Sequence, residues 1–379
     1  MKIAVIQDRP VFKCGNAFYR KSLTESEKYL QLCDHLFYCC TIKQISASHA
    51  SKMKMIDTNR ITIVELADTT VWDKLCISEV NKNIIKETLQ KVDLTFVKMP
   101  SFSVGRYALH VLKSKETKYV TEVVGCAFDT LWYYSVKGKL LAIINYLITR
   151  YYVSKSKNVI YVTSAFLQKR YPSYGNSLSC SNVRIDNNTT NSYNNLVLEN
   201  LNKGIMAIGT ASPVDIKFRD QETVLRAIKL LKEKNIVVHY YLAGGGDSSR
   251  LKELALQLNV EEQVFFLGEL NHNQVISFFN SIDVYVHPSK AEGLPRALIE
   301  AMSKGKLAIG AKTGGIPELL PYEYIFNKGD YHKLCDIISN IIPEDISIQG
   351  HLNYVKSLQF DKRLLDKKRK SFLKKVMCK

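Results

Sequence analysis

From residue 204 to residue 311 the chain alternates short, β-branched apolar runs with helix-like runs of about ten residues. That rhythm constrains the fold more than any other feature. Strands are expected at 204–209, 236–242, 264–267, 284–287 and 307–310, and helices at 221–233, 250–258, 273–280 and 296–303. Strand–helix–strand units of this length imply a mostly parallel sheet covered on both faces. The first half repeats the rhythm, with strands at 2–7, 60–66, 93–97, 119–124 and 158–162 and helices at about 18–36 and 139–152. The expected fold class is α/β: two doubly wound, Rossmann-like domains facing a cleft, with ligands at the carboxyl ends of the strands. The domains are placed at 1–195 and 196–355, followed by a basic helix at 356–379. The polar stretch NNTTNSYNN at 187–195 reads as a loop near the boundary.

The remaining features narrow the function. Nine cysteines, with no CxxC and with Cys39 and Cys40 adjacent, suit neither a disulfide framework nor a zinc site. The opening MKIAVIQ is a strand rather than a signal peptide, and no apolar run reaches the ~18 residues of a membrane span. A reduced, cytoplasmic protein follows. The formal charge of +17, from 53 basic and 36 acidic residues, favours an anionic partner: nucleic acid, an anionic membrane surface or a phosphorylated ligand. No RNP or zinc-finger pattern supports nucleic acid. No G-x-G-x-x-G follows the first strand, which argues against a nicotinamide enzyme. No HxH, HExxH or strand-linked DxD points to a metal. Ten Lys or Arg against two Asp fill residues 356–379, where Leu364, Leu365, Phe372, Leu373 and Val376 form an apolar stripe that packs or meets a membrane. The run at 139–152 mixes apolar and aromatic residues; it is read as packing on the sheet, with a membrane surface as the alternative.

The chemistry concentrates in HPSKAEGLPRALIEAMSKGKLAIGAKTGGIPEL, residues 287–319. Glu292 and Glu300 stand eight positions apart, with Gly293-Leu294-Pro295 after the first. Proline suits the first turn of a helix, because its missing N–H is not needed there. The loop before it then lies at a strand end, beside free N–H groups that favour phosphate. Gly293 lets the backbone approach a ligand closely. Glu300, inside the helix, offers a carboxylate that accepts hydroxyl hydrogen bonds and repels anions. Donors for a diphosphate beside acceptors for sugar hydroxyls match the parts of a nucleotide-sugar.

This segment closely resembles the E-x7-E region of the retaining GT-B glycosyltransferases of family 4. Tyr241-Leu242-Ala243-Gly244-Gly245-Gly246-Asp247, 264–270 and 283–289 are similar to further motifs of that family, and the resemblance is dense from about 205 to 320. In the first half, Gly125-Cys126-Ala127-Phe128-Asp129, Trp132, Lys137-Gly138-Lys139, VTSAFLQKRYP at 162–172 and Ser181-Asn182-Val183 resemble bacterial members that build surface polysaccharides. The resemblance implies that Glu300 binds ribose hydroxyls and that Glu292, catalytic, meets the hydroxyls of the transferred sugar. Gly293 and Leu294 give N–H groups to the donor, and Lys217 and Arg219 clamp its diphosphate, with Thr210 where the family's arginine usually stands. Asp129 takes the place of an acceptor-side histidine, an N-cap being its rival role. Gly15 stands for the family's glycine-rich loop, with Asn16 in place of the second glycine.

The same resemblance implies a UDP- or GDP-linked sugar donor and no metal or other cofactor. It implies a lipid-linked or oligosaccharide acceptor for a surface polysaccharide, and retention of anomeric configuration. It further implies a last helix returning to the N-terminal domain. The cationic flank of that basic tail is itself expected to attract an anionic bilayer, placing the work at the inner face of the plasma membrane. Three rival readings are a GT-B nucleotide-sugar 2-epimerase, a donor-binding subunit without catalysis and a basic nucleic-acid-binding protein.

Overall fold

A computed structural model describes residues 1–67, 78–101, 103–113, 117–186 and 204–378. The stretch 187–195 and the boundary expected at 195 lie outside the described residues. The chain separates into two compact units. One comprises Met1–Ala127, Ile143–Asn182 and Asp366–Lys379, and the other Phe128–Ala142 and Val183–Leu365.

The first unit holds β1 (Lys2–Ile6), β4 (His35–Cys40), β7 (Ile61–Glu65), β8 (Leu94–Met99), β9 (Lys118–Val123), β10 (Asn158–Tyr161) and β11 (Asn176–Ser179). They form a seven-stranded sheet in the order β11-β10-β9-β8-β1-β4-β7, and every pairing is parallel. All six residues of β8, LTFVKM, are buried, as expected of a strand covered on both faces.

A second, four-stranded sheet, β5-β2-β3-β6, uses β2 (Val11–Cys14), β3 (Ala17–Arg20), β5 (Ile42–Gln44) and β6 (Lys54–Met55). It corrects the helix expected at 18–36. Val11–Cys14 and Ala17–Arg20 form an antiparallel hairpin across a two-residue Gly15-Asn16 turn, and the helix is confined to Thr24–Leu30. Gly15 has φ +58°, the left-handed backbone that such a tight turn needs at its first position and that glycine supplies without strain. His35 then opens β4, where Leu36, Tyr38, Cys39 and Cys40 are buried.

The second unit is a six-stranded, all-parallel sheet in the order β14-β13-β12-β15-β16-β17. Its strands are β12 (Ile205–Ala211), β13 (Val237–Ala243), β14 (Val264–Gly268), β15 (Val284–His287), β16 (Leu307–Ala311) and β17 (Ile325–Phe326). The strand period of two distributes the core. Val284, Val286, Leu307 and Ile309 face one side with Leu225, Ile228 and Leu231 of the Gln221–Glu233 helix. Tyr285 and Ala308 face the other, with Phe278, Phe279, Leu298, Ile299 and Met302. Numbered from its own first strand, the sheet runs 3-2-1-4-5-6, so its topological switch lies between β12 and β15.

Two helices differ from the simplest sequence reading. Val136–Ser154 is helical as expected, but its buried positions are Gly138, Ala142, Asn145, Thr149 and Val153, mostly small or polar; Leu141 and Ile148 are half-buried, while Val136, Leu140, Ile143, Ile144, Leu147 and Tyr151 are exposed. In the last helix, Lys362–Cys378, the stripe is used internally: Leu365, Phe372, Leu373 and Val376 are buried. Arg369, also buried, donates to the Ser181 carbonyl at 3.3 Å, and Lys118 Nζ donates to the carbonyl of Met377. Among the described residues, no helix is long and apolar enough to cross a membrane.

Candidate active site

The switch point of the second unit brings together the segments that follow β12 and β15. Ile208 and Gly209 pair with Val284 and Tyr285, so the two strands deliver their carboxyl ends side by side. After β12 the chain makes a 3-10 turn at Lys217–Arg219; after β15 it loops through residues 288–294 to the Arg296–Ser303 helix. Pro295 is the N-cap of that helix, one position before the first turn expected for it. Leu298, Ile299, Ala301 and Met302 bury the inner face, which fixes the direction of the open N-terminus.

The loops are stitched together. The Lys290 amide donates to the Phe218 carbonyl at 2.8 Å, and Lys290 Nζ pairs with Asp220 at 2.6 Å. Ser289 Oγ lies 3.3 Å from the Phe218 carbonyl oxygen and 3.1 Å from that of Ala291. A third segment, after β16, braces the others: Thr313 Oγ1 donates to the Lys290 carbonyl at 3.0 Å, and the Gly315 amide to the Gly293 carbonyl at 2.7 Å. Gly314 has φ +54°, and a Cβ there would stand 2.5 Å from the Glu292 carbonyl oxygen. Only glycine fits both the backbone angle and the space.

Glu292 is nearly buried and doubly held. One of its carboxylate oxygens accepts from Arg219 and, at 2.9 Å, from Nε2 of the buried His287. A carboxylate only accepts, so Nε2 carries a proton; Nδ1 lies 3.1 Å from the Tyr285 hydroxyl. Burial, against a smaller effect of a hydrogen bond from the Ala211 backbone, raises the Tyr285 pKa and keeps that hydroxyl protonated. Burial also opposes charge on Glu292. The hydrogen bond and charge of His287, with the charge of Arg219, outweigh it and hold the carboxyl below the usual glutamate range.

Glu300 is the opposite case. It is half-buried, and among the described residues its carboxylate has no hydrogen-bond or ion-pair partner. Burial raises its pKa, only partly countered by Arg296. One acid is fixed and charged; the other is desolvated and open.

The cations divide likewise. Arg219 is committed to Glu292, yet its Nε is buried without a partner. Lys217 is exposed. Thr210, at the position of the family's arginine, is a core residue: it donates to the Val286 carbonyl at 2.7 Å and receives the Tyr240 hydroxyl at 2.9 Å. Gly244 shapes the loop from beneath, since a Cβ there would meet the Ser212 carbonyl oxygen at 1.9 Å.

Glu292, Gly293, Leu294, Glu300 and Arg219 thus gather at one switch point, with Lys217 on the adjoining turn. Asp129 is buried in the first turn of the Ala127–Trp132 helix, with Lys328 Nζ 3.9 Å away. It is the third residue of that helix, which corrects the N-cap role. Gly15 lies at the hairpin turn of the first unit, beyond the Gln7–Pro10 loop that follows β1. Sequence reasoning missed the Tyr285–His287 relay, the Lys290–Asp220 pair and the Gly314 brace. A signal for the brace existed in the Gly314-Gly315 pair, seven and eight residues past the start of β16 (Leu307).

Comparison with known proteins agrees with this geometry. Residues 217–344 match the family described as glycosyl transferases group 1. Protein CapJ of Staphylococcus aureus is 24% identical over 355 residues, covering 90% of this chain and 86% of its own length. The amylovoran biosynthesis glycosyltransferase AmsK of Erwinia amylovora is 27% identical over 124 residues, 30% of each chain. Among solved structures, Anabaena HepE in complex with UDP superposes with a TM-score of 0.69 at 16% identity, covering 99% of this chain and all of its own. Residues 217–344 therefore carry a glycosyl transferases group 1 segment, set within a GT-B fold of two Rossmann-like units.

Proposed function

We propose that the protein is a retaining glycosyltransferase that moves a sugar from a UDP- or GDP-linked donor onto a growing, lipid-linked surface polysaccharide. The observation that carries this reading is the contrast at the switch point, where a fixed, ionised Glu292 in the loop before a helix stands eight residues before an unpartnered, desolvated Glu300 inside that helix. Glu300 accepts the ribose hydroxyls, and Glu292 the hydroxyls of the transferred sugar. The N–H groups at Gly293 and Leu294, with Lys217 and the free Nε of Arg219, face the diphosphate. As the sugar–phosphate bond breaks, negative charge grows on the leaving phosphate, and donors already in place stabilise it without reorganising. Asp129 acts on the acceptor side, and Gly15 on the donor's. These groups carry the diphosphate's charge in place of a metal. HepE is solved with UDP, which supports a nucleotide-sugar donor, and AmsK is named for amylovoran biosynthesis, which supports a glycan product. A lipid-linked acceptor places the work at the inner, anionic face of a membrane.

The test is a thermal-shift screen of UDP-, GDP- and ADP-sugars, followed by NMR of the product anomer. A ligand that binds only the native state raises the melting temperature. UDP- or GDP-sugars should do so, transfer should retain the configuration, and EDTA should leave turnover unchanged. A donor processed without any acceptor would favour a 2-epimerase instead.

A further inference from the structure

The Val136–Ser154 helix is built inside out. Its exposed stripe, Val136 (84% exposed), Leu140 (68%), Ile143 (47%), Leu147 (58%) and Tyr151 (53%), recurs at helical spacing and includes Ile144. The stripe is about 22 Å long at 1.5 Å per residue. The buried side of the same helix is Gly138, Ala142, Asn145, Thr149 and Val153. At Gly138 the approach is so close that a Cβ would stand 2.3 Å from the Leu131 carbonyl oxygen. Water-soluble helices bury their large apolar residues; here the buried side is mostly small or polar, Leu141 and Ile148 are half-buried, and six larger apolar or aromatic residues are left out.

We infer that this outward face is a docking surface for an anionic lipid bilayer. The inference deepens the membrane-surface reading above and rests on it. Charge selects the occupant. Residues 133–157 contain Lys137, Lys139, Arg150, Lys155 and Lys157, all exposed, and no Asp or Glu. A second copy of the chain would set these cations against themselves, whereas anionic head groups complement them. Exposed Tyr134 and Tyr151 at the ends of the stripe suit the interfacial zone, where an aromatic ring is buried and its hydroxyl stays wet. At the Tyr151 end a cleft of about 310 Å³ is lined by His110, Lys113 and Lys155, and its two lysines offer cations to a phosphate head group. An apolar stripe flanked by cations lies in the plane of the interface with its apolar side in the acyl boundary. The basic tail helix lacks the same means, because its apolar stripe is already buried.

Flotation of the full chain with phosphatidylglycerol/phosphatidylcholine vesicles and with phosphatidylcholine alone tests this. The wild type should float with the anionic vesicles. Leu140→Ser with Leu147→Ser should lower partitioning about tenfold or more with no fall in melting temperature. Lys137→Gln, Lys139→Gln and Arg150→Gln together should remove the salt-sensitive part. Lys367→Gln, Lys370→Gln and Lys374→Gln on the tail should change little. The inference is overturned if the serine variant floats like wild type, if the tail variant loses as much, or if the serine variant splits an oligomer in light scattering. A wild type that binds no vesicle would sink the membrane-surface reading as well. UDP-sugar binding, measured without lipid, reports on the glycosyltransferase reading separately.

Discussion

Two glutamates of one loop–helix unit are tuned in opposite directions, and pH separates their roles. An unfolded glutamate ionises near pH ~4.3. Burial raises the folded pKa of Glu300, so between these two values the native state binds more protons than the unfolded one. Stability therefore falls as pH rises through that window, and the penalty is complete at neutral pH. Glu300→Gln should raise stability by about 1 kcal/mol at pH 7. The gain should vanish toward pH ~4, and nucleotide affinity should weaken by about 1–3 kcal/mol, the scale of bonds to a charged acceptor. Urea titrations at several pH values and calorimetry with UDP check both halves; unchanged affinity would remove Glu300 from the donor site. For the cations, Lys217→Gln with Arg219→Gln should lower kcat about a hundredfold while changing donor affinity less. A double variant with wild-type kcat would refute the clamp.

At the scale of elements, the site is three loops locked into one another, and the lock is more fragile than any single bond in it. Gly314→Ala adds a methyl against the Glu292 carbonyl and forces a left-handed backbone on an L-residue. It should destabilise by about 1–3 kcal/mol and lower donor affinity together, measured by melting and calorimetry on the same sample. Affinity unchanged despite lower stability would separate the brace from the site. The helices Gln221–Glu233 and Arg296–Ser303 and the strand Val284–His287 are legible to the residue, because their periodicity speaks in single sequence windows. The hairpin at Val11–Arg20 was not: Phe18 and Tyr19 fit a helix as well as a strand, and only pairing across Gly15-Asn16 decides. The spacing of Glu292 and Glu300 could be read, but the His287 and Arg219 bonds that distinguish them link segments up to seventy-three positions apart. Nor does composition reveal which side of Val136–Ser154 faces out, since periodicity marks an apolar face without saying what covers it.

For the whole molecule, the organising fact is that the first unit is assembled from three separate stretches of chain. Its last stretch contributes Phe372, Leu373 and Val376, each buried. A chain truncated after Leu365 forfeits roughly 1.5–3 kcal/mol for each of these side chains, comparable in sum to the whole stability of an ordinary domain. Two unfolding transitions in the truncated chain, the earlier one carrying the loss, are expected in calorimetry; a single wild-type transition would show the helix to be dispensable. The arrangement also sets an order of events during synthesis. Domains usually fold in the order in which they leave the ribosome. Here the strands of the first unit emerge early, but the helix that completes it follows residues 183–365, a delay of roughly ten to forty seconds at ordinary elongation rates. The second unit is finished first. Through that interval the nascent first unit exposes the seat meant for Phe372 and Leu373 (an apolar surface for chaperones to hold) and becomes a finished domain only when translation has passed the entire second unit.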